Sequence, residues 1–418
     1  MTEPTADRLA LLYRITQTFN SSLDLNEVLN CVIDEVIEAM HAGRGFVMLI
    51  GEDRSLQFRA ARGIDHRTID DPEFHISRSV VQRVVQESRP LLTSNAQSDA
   101  WLSGRTSVMA LGLRSILCVP LQHKGVTHGA IYVDNTVQAG IFTERDLELL
   151  TAIASHAAAA IDNARLYRIA VEQGRMEREL QVAREVQSSL IPNATPAMPG
   201  WEFAARWQPA RRVAGDFYDF VPIGDGLGVV IADVSDKGMP AALFMALSRS
   251  IIRASLAHTH TLAESIAQAN RLVCADAANG MFVTLFCAQL DPGSGDVRYV
   301  NAGHNQPLAC RAGSGECVKL GNSGMALGFF AGAEFAQRTV HLEPGDFVVL
   351  YTDGVTEALD AAGQEFGEER LRRLLLDHRA ASAEDIASAL ERAVAAFAGA
   401  ATPSDDVTFV IAKRLYGC

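Results

Sequence analysis

The chain has 418 residues, 48% of them hydrophobic, and its 50 acidic and 37 basic side chains give a formal net charge of −13. This composition predicts a globular protein with room for two or three domains, and it argues against nucleic acid as a partner because phosphate contacts require clustered Lys and Arg. The N-terminus lacks the layout of a signal peptide and no apolar run approaches the roughly 20 residues that span a bilayer, so we expect a cytoplasmic protein without membrane contact.

The cysteines are odd in number, scattered, and contain no C-x-x-C pair. Such spacing predicts free thiols in a reducing compartment and argues against a disulfide framework or a structural zinc site. The seven residues are Cys31, Cys118, Cys274, Cys287, Cys310, Cys317 and Cys418.

Residues 1–165 are predicted to form a first domain with the order helix, strands, helix. Asp24 and Glu27 form an acidic version of a capping box, and an apolar helical face follows them. Strand-like runs cover residues 45–50, 115–120 and 129–134. A second amphipathic helix is predicted to begin near Thr143.

Residues 166–195 are predicted to form a helical coiled-coil linker. Alternate steps of three and four residues define a seam in which six of the eight positions are apolar, and such a seam favours a parallel homodimer. A surface helix packed on its own domain is the alternative for so short a stretch. Pro192, Pro196 and Pro199 end the helix. The seam positions are Leu166, Ile169, Gln173, Met176, Leu180, Ala183, Gln187 and Leu190.

Residues 196–418 are predicted to form a third region of strands, Gly/Asp turns and amphipathic helices. Apolar strands are predicted at 227–232, 282–290, 347–351 and 407–412, and helices at 240–256, 262–278 and 383–398. The whole chain is therefore expected to be an α+β multidomain protein.

Aspartates lie where the strands of the C-terminal region run out, in four motifs, VAGDFYDF, VVIADVSDKG, VVLYTDGVTEA and PSDDVTFVI. Any one of them is more simply a turn former. If the strand ends meet, however, the four carboxylates repel one another and require a cation between them. Oxygen ligands without a local His or Cys cluster favour Mg²⁺ or Mn²⁺ over zinc. The four residues are Asp216, Asp233, Asp353 and Asp405.

Two such ions that share carboxylates activate a water for in-line attack on phosphorus, and this chemistry needs no side-chain nucleophile. The sequence contains no G-x-S-x-G elbow and no C-x₅-R motif that would supply one. The pattern thus predicts a metal-dependent hydrolase.

Residues from about 182 to 414 resemble the SpoIIE/RsbU-like branch of the PPM, or type 2C, metal-dependent protein phosphatases. The matching segments occur in the family's order: AREVQSSLIP, VAGDFYD, ADVSDKGMPAALFMA, FVTLFCAQLD, NAGHNQP, LYTDGVTEA and DDVTFVIAKR. The resemblance implies an αββα sandwich with two Mn²⁺ or Mg²⁺ ions at one end. It implies that Asp216, Asp233, Asp353 and Asp405 bind them, with Asp233 bridging and the main-chain carbonyl of Val234 assisting. Asp406 stands where the family carries Asn, and it is assigned a supporting role.

The chain departs from the family motifs at three positions. Ala214 and Ala232 replace glycines that precede the two metal-ligand aspartates, and Asp236 replaces the Gly of G-D-V-S-G-K-G. An Ala held at positive φ at either position would cost about 1 kcal/mol. Asp236 adds a carboxylate that would either bind a further cation or slow an anionic substrate.

Three further residues have both a functional and a structural interpretation. His304 could donate a proton to a leaving group, although a structural turn histidine is the simpler interpretation. Arg211 and Arg212 precede Asp216 and could reach a phosphate, but solvated surface arginines are an equal alternative.

Residues 9–165 resemble a GAF domain, a sensor fold with a pocket for a small molecule. The supporting segments are SSLDLNEVLNCVIDEVIEAM, RGFVMLI, LRSILCVPLQHKGVTHGAIYVDN and FTERDLELLTAIASHAAAAIDNARLY. The cyclic-nucleotide signature N-K…F-x₃-D-E is kept only in part, around Asn135, Phe142 and Asp146, so the ligand stays unidentified. A GAF domain that only dimerises is the alternative.

Together the resemblances imply a signal-regulated phosphatase that hydrolyses phosphoserine or phosphothreonine on a partner protein. The family suggests a STAS-type anti-sigma-factor antagonist in a partner-switching pathway as substrate. A catalytically weak or inactive scaffold that acts by protein binding is the alternative. A GAF-controlled phosphodiesterase of the HD type is excluded because no His is followed by Asp, and a cyclase would leave Asp353 and Asp405 unexplained.

Overall fold

The computed structural model describes residues 10, 13–15, 17–18 and 25–416, except 52, 73–74, 100, 103–107, 110, 258–260, 278–279, 400 and 402. The predicted cap Asp24 and the thiol of Cys418 lie outside the described residues. The chain divides into two compact units, an N-terminal unit of residues 1–175 and a C-terminal unit of residues 176–418.

The N-terminal unit contains one five-stranded antiparallel sheet with the strand order β2-β1-β5-β4-β3. Its strands are β1 (Arg44–Ile50), β2 (Leu56–Gly63), β3 (Leu91–Thr93), β4 (Ser115–His123) and β5 (Val126–Asn135). The helices are α1 (Leu25–Met40), α2 (Arg78–Glu87) and α3 (Glu144–Leu190), of which α3 continues into the C-terminal unit.

Both faces of this sheet are covered, which explains why its central strands are apolar at nearly every position. Side chains alternate between the two faces of a strand. Val47, Leu117 and Ile131 join the core that α1 and α3 cover, whereas Phe46 and Tyr132 join the core on the α2 side.

The C-terminal unit contains two five-stranded antiparallel sheets. The first has the order β13-β10-β9-β8-β7 and the second the order β12-β11-β14-β15-β6. The strands of the first sheet are β7 (Phe217–Ile223), β8 (Gly226–Val234), β9 (Val283–Leu290), β10 (Asp296–Ala302) and β13 (Arg338–His341). Those of the second are β6 (Trp201–Gln208), β11 (Leu308–Cys310), β12 (Cys317–Lys319), β14 (Phe347–Tyr351) and β15 (Val407–Arg414).

The two sheets pack face to face between two pairs of helices. Val348 and Val410 of the second sheet join the core that contains Val229 and Phe286 of the first. Helices α4 (Met239–Leu256) and α5 (Leu262–Asp276) cover the first sheet, and α7 (Gly367–Asp377) and α8 (Ala383–Ala398) cover the second. A short helix, α6 (Asp353–Thr356), follows β14. The α+β class and the αββα sandwich expected from the sequence are confirmed.

Helix α3 is continuous over 47 residues and includes the predicted coiled-coil seam. Leu166, Ile169 and Met176 of the seam are exposed, at 56%, 43% and 63% of their surfaces. Gln187 is only 4% exposed and is buried inside the C-terminal unit. The assignment of Gln187 to the seam is wrong, because the Gln187 amide pairs with backbone groups of the C-terminal unit. The spacing of residues along the helix does not reveal this contact.

Two cysteines contradict the expectation of free thiols. Cys310 and Cys317 face each other across the β11–β12 hairpin and form a disulfide. The seven-residue separation in the sequence did not predict this disulfide. The register of the β11–β12 hairpin places Cys310 opposite Cys317, and that register is visible only in the structure. Cys31, Cys118, Cys274 and Cys287 are free as expected. Among the described helices, none is both long and apolar enough to cross a bilayer.

Candidate metal centre

Two of the predicted ligands lie on neighbouring strands of the first sheet. Asp216 immediately precedes β7, and Asp233 is the next-to-last residue of β8. The antiparallel register pairs Phe217 with Ala232, so the two aspartates are adjacent across the strand pair. Asp216 is only 2% exposed.

The other two predicted ligands lie at the matching end of the second sheet. Asp353 begins α6, two residues after the end of β14, and Asp405 lies two residues before β15. Gly354 permits the close approach, since a Cβ at this position would lie 2.0 Å from the carbonyl oxygen of Asp406. The Oγ1 of Thr352 donates a 2.7 Å hydrogen bond to Oδ2 of Asp216 and so links the two sheets. The four carboxylates therefore lie at the same end of the sandwich.

Ionising all of the carboxylates at this end of the sandwich at once is unfavourable in free energy. Burial raises the pKa of Asp216 well above its usual range, and the charge of Asp233 raises it further. Burial likewise raises the pKa of Asp233, with the charge of Asp353 next in importance. The pKa of Asp353 is also raised by burial and then by Asp405. Such a cluster has the electrostatics of a cation site.

A small open cavity lies beside these carboxylates and also carries positive charge. The Nζ of Lys237 donates to Oδ2 of Asp405 at 2.7 Å and to the carbonyl oxygen of Ser404 at 3.1 Å. The cavity is lined by Ala210, Arg211, Val213, Gly215, Asp233, Asp236, Lys237, Gly238, Ser404, Asp405 and Asp406.

The donor set fits a hard divalent cation, although the side chains are not arranged around one. Among the described residues, no three carboxylate, imidazole or thiolate groups converge as a formed metal site. Asp405 is instead turned toward Lys237. All the candidate donors are oxygens, as Mg²⁺ and Mn²⁺ prefer. Burial and then neighbouring carboxylates raise the pKa of Asp216, Asp233 and Asp353, and a cation would offset both effects. The backbone carbonyl of Val234 lies beside Gly215, 3.2 Å from the position of a Cβ there.

Asp406 contacts the backbone and shapes the loop before Asp216. Its Oδ1 accepts from the N–H of Ala210 at 2.8 Å and its Oδ2 from the N–H of Gly215 at 2.9 Å. Burial raises the pKa of Asp406. These contacts agree with the supporting role expected for this residue.

The structure does not bring His304 to the cavity. The side chain is 3% exposed, and its Nδ1 lies 2.9 Å from Oγ1 of Thr284. Burial lowers the pKa of His304 to about 4, and its backbone N–H donates to Oδ1 of Asn301. A neutral, buried imidazole within a turn favours the structural interpretation. Arg211 lines the cavity, whereas Arg212 is exposed and does not.

The backbone strain falls on a different residue from the one expected. Ala214 and Ala232 are not among the positive-φ residues that the structure describes, whereas Asp236 has a φ of 82° and Gly238 a φ of 83°. Asp236 thus bears the cost of about 1 kcal/mol that a side chain adds in this region. Its Oδ1 accepts from the N–H of Lys237 at 2.8 Å.

Two residues that support the site were missed at the sequence level. Thr352 belongs to the LYTDGVTEA segment, but a role in the site was assigned only to Asp353 of that segment. Gln187 was assigned to the coiled-coil seam, yet it hydrogen-bonds Ala214, two residues before Asp216. A polar residue inside the AREVQSSLIP segment was the available signal.

Comparison with known families agrees with this geometry. Residues 223–415 match the profile of the SpoIIE family (Stage II sporulation protein E), and residues 22–162 match that of the GAF domain. The fold and the profile match define the C-terminal unit as a PP2C-like domain of the SpoIIE family. The chain thus carries a GAF domain over residues 22–162 and a SpoIIE-family domain over residues 223–415, and it is similar to RsbU.

Individual relatives are similar over part of their length. The chain is 30% identical to Protein IcfG of Synechocystis over 272 residues, which is 58% of this chain and 43% of that protein. It is 31% identical to phosphoserine phosphatase RsbU of Bacillus subtilis over 216 residues, 51% of this chain and 64% of RsbU. The chain thus spans less than two thirds of either relative.

One solved structure supports the fold of the C-terminal region. The SiaA-PP2C domain of Pseudomonas aeruginosa superimposes with a TM-score of 0.53 at 23% identity, covering 59% of this chain and 100% of that one.

Proposed function

We propose that the C-terminal unit is a metal-dependent protein phosphatase that hydrolyses phosphoserine or phosphothreonine on a partner protein. The observation that carries this proposal is that Asp216, Asp233, Asp353 and Asp405 lie at the same end of the sandwich, beside a small cavity, where the charges of neighbouring carboxylates raise one another's pKa. The similarity to a phosphoserine phosphatase supports the reaction class.

Different residues of the chain would have different roles at such a site. Asp216, Asp233, Asp353 and Asp405 would hold two Mn²⁺ or Mg²⁺ ions, which when bound supply Lewis acidity to activate water and neutralise phosphate charge. Thr352 orients Asp216 through its 2.7 Å hydrogen bond. Arg211 lines the cavity, and its guanidinium would contact phosphate oxygens there.

The substrate we propose is a phosphorylated side chain on a folded protein, of the STAS-type anti-sigma-factor antagonist class. The resemblance to the SpoIIE/RsbU-like branch supports this choice of partner. We further propose that the GAF unit binds a small molecule, still unidentified, and that its state sets the phosphatase rate.

The test compares Asp233→Asn with the wild-type chain. The substitution removes the charge of the central carboxylate, so we expect weaker Mn²⁺ binding by calorimetry and a loss of kcat on the order of 10²-fold on a phosphoserine peptide. Asp225→Asn, in the exposed turn between β7 and β8, is the matched control and should behave like wild type.

Turnover that persists in Asp233→Asn or in excess EDTA would contradict the metal-dependent mechanism. Wild-type binding of the phosphoprotein without any hydrolysis would favour the scaffold alternative.

A further inference from the structure

The amide of Gln187 pairs with the backbone of Ala214 as a neighbouring strand would. Its Nε2 donates to the carbonyl oxygen of Ala214 at 2.7 Å, and its Oε1 accepts from the N–H of Ala214 at 3.0 Å. One side chain thus satisfies both backbone groups of one residue. Gln187 is 4% exposed and Ala214 1% exposed, so water does not compete for these groups.

The same amide also contacts the helix that follows the Asp233 loop. Its Nε2 lies 3.5 Å from the carbonyl oxygen of Ala242, in the first turn of α4. Gln187 is therefore bonded to the segment that leads into Asp216 and to the helix that begins five residues after Val234.

Gln187 completes the backbone restraint on the segment before Asp216. The N–H of Ala214 is held by Gln187, and the N–H of Gly215 is held by Oδ2 of Asp406 at 2.9 Å. The carbonyl oxygen of Asp216 accepts from Nε1 of Trp207 at 2.9 Å. Three consecutive residues are thus each fixed by a side chain from a different element.

We propose that Gln187 is a positioning residue that sets the place of the Asp216 carboxylate and thereby the divalent-cation affinity of the site. This inference rests on the proposed function of the C-terminal unit. The position requires a donor and an acceptor on one side chain, since Ala214 presents both groups. Glutamate keeps the shape but lacks the donor when ionised, and leucine lacks both. The buried backbone groups then lose their partners, and the segment shifts.

The experiment uses the full chain with Gln187→Glu, Gln187→Leu and the control Gln181→Leu. Gln181 lies on the same helix, is exposed, and bonds only Glu185 among the contacts described for it. Hydrogen exchange of peptides covering residues 213–216 reads the backbone directly and does not depend on activity. Calorimetry with Mn²⁺ alone reads the affinity, and a phosphoserine peptide gives kcat and KM.

We expect both Gln187 variants to exchange the Ala214 amide faster and to bind Mn²⁺ about tenfold more weakly, with kcat reduced by about tenfold or more. The KM for the peptide should change less than about twofold, because substrate contacts are untouched. Gln181→Leu should match wild type in every measurement. If leucine prevents folding, the isosteric glutamate variant carries the test.

A lower unfolding temperature with unchanged Mn²⁺ affinity and kcat would overturn the proposal, since it would show a merely structural role. Unchanged exchange at Ala214 would overturn it as well. If wild type itself neither binds Mn²⁺ nor hydrolyses the peptide, the proposed function fails and this inference fails with it. If wild type binds Mn²⁺ and hydrolyses the peptide, and the Gln187 variants do so equally well, only the role of Gln187 is rejected.

Discussion

At the scale of single residues, Gly354 shows how tightly the two carboxylate-bearing loops pack. A Cβ at this position would lie 2.0 Å from the carbonyl oxygen of Asp406. We expect Gly354→Ala to lower the free energy of unfolding by about 3 kcal/mol, as overpacking against backbone does, and to weaken Mn²⁺ binding. Urea denaturation and calorimetry measure the two effects.

Gly313→Ala is the matched control for Gly354→Ala, because open space surrounds a Cβ at residue 313. It should change the free energy of unfolding by less than about 1 kcal/mol. If Gly354→Ala and Gly313→Ala have the same free energy of unfolding, the loops that carry Asp353 and Asp405 can move apart without loss of stability.

His304 predicts an acid-sensitive step in stability. Its pKa of about 4 in the folded state lies below the ordinary value of 6.5, because the ring is buried. As pH falls, the His304 ring therefore binds a proton at a higher pH in the unfolded chain than in the folded protein. The stability contributed by the neutral ring is complete above about pH 6.5 and is lost as pH falls toward 4, by up to about 3 kcal/mol.

His304→Asn should flatten this part of the pH profile. Urea denaturation of both proteins between pH 4 and 7.5 gives the slopes. Parallel profiles for wild type and variant would contradict the assignment to His304, whatever the offset between them.

At the scale of elements, a partly buried ion cluster joins helix α4 to strand β7. Asp219 is 2% exposed, and its carboxylate lies 3.0 Å from Nη2 of Arg249 and 2.8 Å from Nη1 of Arg253. Removing the carboxylate leaves two guanidinium groups without their partner. Asp219→Ala should therefore lower the free energy of unfolding by about 3–5 kcal/mol.

Thermal and urea denaturation test this cluster, with the exposed Asp225→Ala as control. The control should lose no more than about 0.5 kcal/mol. A loss below about 1 kcal/mol for Asp219→Ala would show that α4 is held to β7 by apolar packing alone.

At the scale of the whole molecule, helix α3 predicts self-association. Leu166, Ile169 and Met176 lie on one seam and are exposed, so a second copy would bury them. Because Gln187 is buried within its own chain, the paired stretch must end before it. We expect a dimer by light scattering at micromolar concentration.

The double variant Leu166→Glu/Ile169→Glu should shift the chain to monomers, because it places like charges on facing seam positions. Arg168→Glu, on the same helix but off the seam, should leave the dimer intact. A wild-type monomer at micromolar concentration would remove the coiled-coil model.

Local patterns in the sequence were sufficient for the long elements of this protein. The predicted strand at 347–351 and helix at 383–398 agree with β14 and α8, since apolar runs and helical periodicity are strong in both. Short or polar elements such as β13 (Arg338–His341) and α7 (Gly367–Asp377) were not predicted. Neighbouring strands and the sheet beneath them stabilise such elements, and their own sequences carry little signal.

The sequence by itself determined which residues could form the site, because each candidate aspartate lies at the end of an apolar strand within a family motif. Only the tertiary structure decided how the buried polar groups are satisfied. It placed Gln187 against Ala214, buried His304 beside Thr284, turned Asp405 toward Lys237, and joined Cys310 to Cys317. Hydrophobic periodicity reports which positions are buried, whereas a buried amide, imidazole or carboxylate is defined by its partner. Those partners lie far away in sequence and become neighbours only when the sheets pack.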